Sequence, residues 1–374
     1  MQGRGFVKPP TGITFDTDFG TSIDSVLTIA LLRAMSSKGQ CRVISVSVTN
    51  SNLKAAQAEE ALSNFYLGGA LGSGTGFGGG ADKIGLATDG KIKTETPIMK
   101  AILDKKNAEG KQAYPWKIES FIDTAECGVT MRNMLLAQND LNAVVLLDGP
   151  AGNLVQLMNL YGAKPQITEK VKHLVAAVGA YPNGPADNSI RTDVAAARKL
   201  FAEWPTPIIA VGTEVGEAIP YPGESIDKDY AWAQDHPLVD AYKAFKPMPY
   251  DAVTPGMAAA LYAAHPDDGY FKLSDPGTIT VLDDGRTKFT PGAGGKHQYL
   301  IADPAQKEKI QKLYVDLISV KPVPPAPRGR GRGIGFGRGA SGAAGRGRGA
   351  FGVSGAAGRG APAPITPGAP APKE

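Results

Sequence analysis

The fold is decided by a stretch near the N-terminus, Ile13-Thr-Phe-Asp16-Thr-Asp18-Phe-Gly20-Thr-Ser-Ile-Asp24-Ser25. Its first part is a short apolar run with β-branched residues, which predicts a buried strand. From Ile23 onward, apolar residues recur at helical spacing, which predicts a helix directly after a turn. The stretch therefore places three carboxylates where the carboxyl end of a strand meets the start of a helix.

These three carboxylates predict a ligand site. In open α/β sheets, ligands bind in the crevice at the carboxyl ends of the strands. Asp16, Asp18 and Asp24 would repel one another at short range unless water, a cation or a hydroxyl-rich ligand satisfied them. The residues alone leave these three choices open.

Predicted strands and helices alternate through most of the chain. They are strands at 12–15, 41–48, 84–88, 143–147 and 173–178, helices from Ile23, at 53–67, at 118–138 and at 304–318, and a β-rich segment at 269–300. This order predicts an α/β fold with a mostly parallel, doubly wound open sheet and helices on both faces. The β-rich segment predicts a small C-terminal appendage.

Several ordered motifs resemble one known family. The pattern Asp16-Thr-Asp18-x-Gly20-x-x-x-Asp24 resembles the N-terminal aspartate signature of the inosine-uridine nucleoside hydrolases. A second motif, Asp148-Gly-Pro-Ala-Gly152-Asn153, is similar to the Gly-Pro-x-x-Asn segment that follows a strand in that family. Residues 204–219 and 248–263 resemble a bacterial branch of it. The resemblance covers about residues 12–320, so we predict a nucleoside hydrolase-like domain at 12–321 after an N-terminal arm at 1–11.

The resemblance implies an activity and a cofactor. Members of the family hydrolyse the N-glycosidic bond of ribonucleosides, and a Ca²⁺ ion holds the attacking water and the ribose hydroxyls. By this resemblance, Asp18 is the catalytic residue that activates the water. The metal ligands would be Asp16, Asp18, Ser25 and the carbonyl of Gly152.

The expected calcium site lacks two carboxylates. The family pattern has a second aspartate where this chain has Ser25, and another where it has Gly256. Because calcium prefers six to eight oxygens, several of them from carboxylates, we expect weak or absent Ca²⁺ binding and impaired hydrolysis. Asp251, five residues before Gly256, is an alternative ligand that could replace the missing one.

Five residues match substrate-binding positions of the family, namely Asp24, Asn52, Asp187, Asn188 and Ser189. Asn52 could face the ribose or only cap the following helix. Without a gap Ser189 matches the family's asparagine, and a one-residue slip would give that place to Asn188. Asp193 is interpreted as a helix cap.

Composition bounds the remaining possibilities. The content of 42% hydrophobic and 20% charged residues is typical of a globular protein. The sequence contains no uninterrupted run of 18 apolar residues, so we expect no transmembrane helix. Residues 1–10 contain no apolar signal core, so we expect a cytoplasmic protein or a mature secreted form. Cys41 and Cys127 are expected to be buried thiols, and the four histidines show no metal spacing. The base, the compartment and the oligomeric state, including a homo-oligomer, stay open.

Residues 322–374 form a tail rich in Gly, Arg, Pro and Ala. The tail contains fifteen Gly and nine Pro. The combined fraction of these two residue types exceeds the roughly 25–30% that is typical of low-complexity segments, so we expect the tail to be disordered. The chain has a net charge of +4, but the tail carries +7, which leaves −3 for residues 1–321. Arg-Gly segments bind nucleic acid through phosphate charge and stacking. Weak nucleic-acid binding and a simple linker role both stay open.

A second glycine-rich segment lies at 68–80. Glycines let backbone amides approach a phosphate, but this segment follows a helix and has no Lys-Ser/Thr after it. We therefore interpret it as a surface loop. Three hypotheses for the whole chain remain: a nucleoside hydrolase with a rearranged metal site, a hydrolase-fold protein that binds a ribosyl ligand without hydrolysis, or an RNA- or surface-binding protein that acts through its tail.

Overall fold

The computed structural model describes residues 8–68 and 84–322. The chain divides into two units, Met1–Ala326 and Pro327–Glu374, and the described residues all belong to the first. Most of the glycine-rich segment at 68–80 and nearly all of the predicted tail lie outside the described residues. Within them, no helix is long and apolar enough to cross a membrane.

The strands and helices alternate as predicted. The strands are β1 (Gly12–Thr17), β2 (Arg42–Val48), β3 (Gly85–Leu86), β4 (Ala143–Asp148), β5 (Val171–Ala176), β6 (Ile208–Ala210), β7 (Phe271–Leu273), β8 (Gly277–Val281), β9 (Thr287–Pro291) and β10 (His297–Ala302). The helices are α1 (Ile23–Ser37), α2 (Leu53–Tyr66), α3 (Pro97–Leu103), α4 (Cys127–Leu136), α5 (Gly152–Asn159), α6 (Ala163–Lys170), α7 (Asn188–Thr192), α8 (Val194–Glu203), α9 (Thr213–Ala218), α10 (Glu224–Lys228), α11 (Pro237–Phe245), α12 (Pro255–Ala264) and α13 (Lys307–Ile318).

The strands form one mixed sheet in the order β3-β2-β1-β4-β5-β6-β10-β8-β9. Neighbours from β3 to β10 pair in parallel, whereas β8, β9 and β7 add antiparallel pairs. The predicted β-rich C-terminal segment is continuous with this sheet because β10 pairs with β6. The order reverses between β1 and β4, which makes the carboxyl ends of these two strands the topological switch point.

Helices cover both faces of the sheet. Alternate residues of β4 point to opposite sides, with Val144 and Leu146 in one hydrophobic cluster and Val145 and Leu147 in the other. The first cluster contains the apolar faces of α1, α2, α12 and α13, and the second contains those of α4, α5 and α8. All of β1 and β4 is buried, so their side chains can reach a ligand only at the strand ends.

The predicted helix at 118–138 is wrong in its first half. The segment begins with a 3-10 turn at Phe121–Asp123, and α4 starts only at Cys127. Local caps decide this. The Asp123 carboxylate accepts the backbone N–H of Ser120, and the Glu126 carboxylate accepts those of Gly128 and Val129. Acidic side chains satisfy free N–H groups at the start of a helix. These caps therefore fix two separate helix starts in a segment whose apolar spacing predicted one long helix.

Candidate active site

The switch point brings the ends of β1 and β4 into contact. Thr17 and Asp148 are register partners on the two strands, and the Asp18 N–H donates to the Asp148 carbonyl at 3.1 Å. Gly149 follows with φ +152, and a Cβ placed on it would lie 2.8 Å from the Asp18 nitrogen. Only glycine allows the two chain segments to approach so closely here. Asp18 and Asp148 are therefore held side by side by the backbone.

Asp16 lies on β1 and is completely buried. Asn153, in the first turn of α5, donates its amide to one Asp16 oxygen at 2.8 Å, while the other oxygen has no hydrogen-bond partner among the described residues. Burial raises the pKa of Asp16 to about 8, the Asn153 bond opposes this rise, and the charge of Asp18 adds to it. Asn153 thus couples the second family-like motif to the first.

Asp18, just after the end of β1, is partly buried, whereas Asp16 on the same strand is completely buried. Burial raises its pKa to about 7, and the charges of Asp24 and Asp187 contribute to this rise. A carboxyl group whose pKa lies close to neutrality can accept a proton and release it again near pH 7. This position and pKa are what the predicted catalytic role requires.

Asp24 joins two helices of the core. One of its oxygens accepts the Gly256 N–H at 2.7 Å, and the other accepts the Met257 N–H at 3.4 Å and the Thr28 hydroxyl at 3.3 Å. Thr254, the residue before α12, makes no side-chain cap of its own. The Asp24 carboxylate from α1 therefore caps α12, and much of its hydrogen-bonding capacity serves the fold. Burial raises its pKa to about 7 against these bonds.

Asp148 is a member of the site that sequence reasoning missed. Its side chain is buried, and one carboxylate oxygen has no partner among the described residues. Burial raises its pKa well above the usual value, and the charges of Asp24, Asp18 and Asp187 raise it further. The sequence did contain a signal for this residue, because Asp148 is the last residue of β4 and directly precedes the turn that begins at Gly149.

Asp187 completes the acidic cluster, defined here as Asp16, Asp18, Asp24, Asp148 and Asp187. It precedes α7, where its side chain accepts the Ile190 N–H at 3.0 Å, and burial raises its pKa. Asn188 and Ser189 form the first turn of α7, with Asn188 exposed and Ser189 partly buried. Their contact with a ligand stays a prediction. Asp193 caps α8 through the Ala196 N–H, as predicted.

Three of the predicted site residues are engaged in local structure. The Ser25 hydroxyl donates to the Ser22 carbonyl at 2.9 Å and accepts the Gly20 N–H at 3.1 Å. Asn52 caps α2 through the Lys54 N–H at 3.0 Å, and its contact with a ribose stays a prediction. Asp251 lies on an exposed turn.

Asp251 holds a turn in this structure, and its role as a displaced metal ligand stays a prediction. Its carboxylate accepts the Gly223 N–H at 2.8 Å, where it closes the turn beside α10. It is not among the charges that raise the pKa of the cluster acids. Its role in this structure is to hold that turn.

The donor set does not fit a calcium ion. Within residues 8–68 and 84–322, no group of three or more His, Cys, Asp or Glu side chains is arranged to hold a metal. The reason lies in the contacts of these residues, because Asp24 caps α12, Ser25 is bonded within its own loop, and position 256 has no side chain. Among the fully buried side-chain oxygens of the described residues in the cluster, only one of Asp16 and one of Asp148 lack a hydrogen-bond partner, whereas calcium prefers six to eight oxygens.

A cavity of about 220 Å³ lies beside the acidic cluster. Its lining includes Thr49 after β2, Gly90 and Ile92 after β3, and Gly152 and Asn153 at the start of α5. A Cβ on Gly152 would meet no atom within 4 Å, so this residue faces open space. Asn153 both lines the cavity and donates to Asp16, so this residue connects the cavity to the acidic cluster.

The cysteines and three of the histidines are structural. Cys41 and Cys127 are free, buried thiols. Burial lowers the pKa of His173 to about 4 and that of His236 to about 3, so both are neutral near pH 7. His297 is also buried and accepts the Ile279 N–H at 3.0 Å.

The unfolding free energy is expected to fall by several kcal/mol between pH 5 and pH 8. The pKa of Asp16 is raised to about 8 and those of Asp18 and Asp24 to about 7, from 3.8. The folded state therefore holds these protons more tightly than the unfolded chain, and this stabilisation is lost as the pH rises through 7 to 8. A tenfold difference in proton affinity between the folded and unfolded states corresponds to about 1.4 kcal/mol.

Urea unfolding in the presence of a chelator, at pH 5 and at pH 8, measures this difference. Asp16→Asn, which keeps an acceptor for Asn153 but cannot ionise, should flatten the dependence. A native protein that is equally stable or more stable at pH 8 would contradict the raised pKa values.

Solved structures with the same fold include several nucleoside hydrolases. A plant nucleoside hydrolase, PpNRh1, matches with a TM-score of 0.61 at 16% identity, over 83% of this chain and 100% of that chain. The inosine-uridine preferring nucleoside hydrolase of Bacillus anthracis matches with 0.56 at 15% identity, over 83% and 99%. The type III effector protein XopQ, solved in complex with adenosine diphosphate ribose, matches with 0.56 at 15% identity, over 84% and 95%.

These likenesses show that the chain has the nucleoside hydrolase fold. No family model matches the sequence, and no curated protein matches it. The fold is therefore assigned from structure, and the chemistry has to be argued from the residues of the acidic cluster.

Proposed function

We propose that this chain binds ribonucleosides at the acidic cluster and slowly hydrolyses their N-glycosidic bond to free base and ribose. The observation that carries the proposal is Asp18. It lies at the switch point of a nucleoside hydrolase fold, is only partly buried, and has a pKa raised to about 7 by burial and by the neighbouring acids. These are the properties of a general base that works near neutral pH.

The chemistry follows from the charges around Asp18. Hydrolysis of a glycosidic bond passes through a sugar with oxocarbenium character, which is positively charged. Asp18 and Asp187, which are only partly buried, stabilise that charge when they are ionised. Asp18 takes a proton from a water molecule, the water oxygen bonds to C1′, and the C1′–N bond breaks with its electron pair going to the departing base. The cavity beside the cluster offers space for that base.

We propose slow hydrolysis because two expected contributions are missing. Family members hold the water and the ribose on a calcium ion, and the donor set here does not fit one. Asp24 and Ser25 are engaged in capping and loop bonds. Orientation of the water then depends on Asp18 and its neighbours alone, and weaker positioning lowers the rate.

A second candidate function is binding of a ribosyl ligand without hydrolysis. It is favoured by the same engagement of Asp24 and Ser25, and by the match to XopQ, whose structure contains adenosine diphosphate ribose. RNA or surface binding through the tail stays a prediction from sequence, because nearly all of the tail lies outside the described residues.

A panel assay separates these candidates. The full-length protein is incubated with inosine, uridine and a chromogenic riboside, and free base is quantified by chromatography, with and without millimolar calcium. We expect slow release that calcium does not raise. Binding of these ribosides without any release would select the second candidate, and neither binding nor release would contradict both.

A further inference from the structure

We propose that Asp148 takes over the role of the carboxylate absent at position 256 and binds the ribose hydroxyls directly, without an intervening cation. The inference rests on the proposed function, because it names the group that recognises the sugar at the same site. It is carried by the space around Gly256, the free oxygen of Asp148 and the fixed position of β4.

A side chain at position 256 would require the surrounding side chains to shift. A Cβ built on Gly256 would lie 2.5 Å from the Thr28 hydroxyl oxygen, and 2.9 Å from both Asp148 Oδ2 and Asp24 Oδ2. Cβ atoms essentially never approach other heavy atoms so closely. The volume into which an aspartate at 256 would extend is thus already bounded by two carboxylates, one of them Asp148. The chain supplies a carboxylate here from β4 instead of from α12.

The two carboxylates at this point differ in their contacts. Asp24 Oδ2 accepts the Gly256 N–H at 2.7 Å, so it is already used by the fold. Asp148 Oδ2 is the oxygen without a partner among the described residues, and its side chain is more than nine-tenths buried. A buried carboxylate oxygen without a hydrogen bond destabilises the protein unless a ligand or water supplies the donor. Asp148 Oδ2 is therefore an enclosed oxygen atom whose hydrogen-bond donor the described residues do not supply, and we infer that a ribose hydroxyl supplies it.

The position of Asp148 is fixed before any ligand arrives. It is the last residue of β4, it pairs in register with Thr17, and its carbonyl accepts the Asp18 N–H. A binding group on a rigid strand loses little conformational entropy when the ligand arrives. The carboxylates of Asp18 and Asp148 thus come from adjacent strand ends, and together they offer the paired acceptors that a vicinal diol requires.

Calorimetric titration with non-hydrolysable C-nucleosides tests the inference. The probes are pseudouridine and formycin B, whose bases are attached through carbon, and 2′-deoxy- and 3′-deoxypseudouridine. Asp148→Asn keeps the side-chain volume but replaces the carboxyl group with an amide that cannot ionise, and the matched control is Asp316→Asn, an exposed aspartate of α13. A chelator is present in one series of titrations and absent from the other.

We expect Asp148→Asn to weaken binding of the ribosyl probes by about 10- to 100-fold, the effect of losing a charged hydrogen bond. Asp316→Asn and the chelator should leave the affinity unchanged. One of the two deoxy probes should bind the native protein more weakly than pseudouridine does. The same probe should lose little further affinity in Asp148→Asn, because the hydroxyl that it lacks is the one that contacts the Asp148 carboxyl group. The melting temperature of Asp148→Asn should be no lower than that of the native protein, since the variant keeps the side-chain volume and Oδ2 makes no hydrogen bond among the described residues that could be lost.

The contrary outcomes separate the two proposals. Equal affinity of Asp148→Asn and native protein for the ribosyl probes would overturn this inference and leave the proposed function standing. Loss of native binding in chelator would overturn direct recognition of the hydroxyls. If Asp148→Asn melts many degrees lower, Asp148 has a structural role and the inference is wrong. A native protein that binds none of the probes would overturn the proposed function as well.

Discussion

Replacing Asp18 with asparagine is expected to slow the release of base from a ribonucleoside by at least about 100-fold, the usual contribution of a positioned general base. Asparagine keeps the shape of the side chain but cannot accept the proton of the attacking water. The backbone contact of Asp18 with Asp148 does not involve the side chain, so the variant should fold normally.

The pH dependence adds a second test of Asp18. Because its pKa is raised to about 7, the native rate should increase with pH through this region as the carboxylate forms. The residual rate of Asp18→Asn should lack this increase. Asp316→Asn, at the protein surface, is the control. If Asp18→Asn retains the native rate and pH profile, the base must be another residue.

The second large effect concerns stability. Gly256→Asp is expected to lower the unfolding free energy by more than about 3 kcal/mol at pH 8, beyond the 1–3 kcal/mol typical of an overpacked core. The new Cβ would collide with the Thr28 hydroxyl and with the carboxylates of Asp24 and Asp148, and the new charge would join ionised acids. Gly152→Ala is the matched control, because its Cβ would meet no atom within 4 Å.

Urea unfolding of both glycine variants measures this difference. From sequence alone, aspartates at 25 and 256 would be expected to rebuild a calcium site, and the crowding around Gly256 argues against that result. If Ser25→Asp combined with Gly256→Asp is as stable as the native protein and binds calcium with sub-micromolar affinity, then the cluster can rearrange around a metal ion, and the poor fit of its donors to calcium is refuted.

Much of the fold was predictable because its signals are local. The apolar run before Asp16, the helix from Ile23 and the alternation of strands and helices each report on short segments, and the structure places them as predicted. The helix at 118–138 was mispredicted for the same kind of reason. There Asp123 and Glu126 satisfy backbone N–H groups, and such caps override an apolar period that looks continuous.

The site was only partly predictable from sequence, because several of its residues contact segments that are distant in the chain and come together only in the tertiary structure. The sequence brought Asp16, Asp18 and Asp24 together correctly, since a strand end and a helix start are adjacent in the chain. It could not show that Asp24 would cap α12, which is more than 200 residues away. It also missed Asp148, because an aspartate before Gly-Pro is explained well enough as part of a turn until the neighbouring strand is known.

The most direct test is a crystal structure of the native protein soaked with a C-nucleoside such as formycin B. The ribose is expected between the carboxylates of Asp18, Asp148 and Asp187, with its hydroxyls donating to Asp148 and the base in the cavity next to Asn153. A sugar bound elsewhere, or a sugar held at the cluster only through a metal ion, would contradict the assignment of this crevice as a direct ribose-binding site.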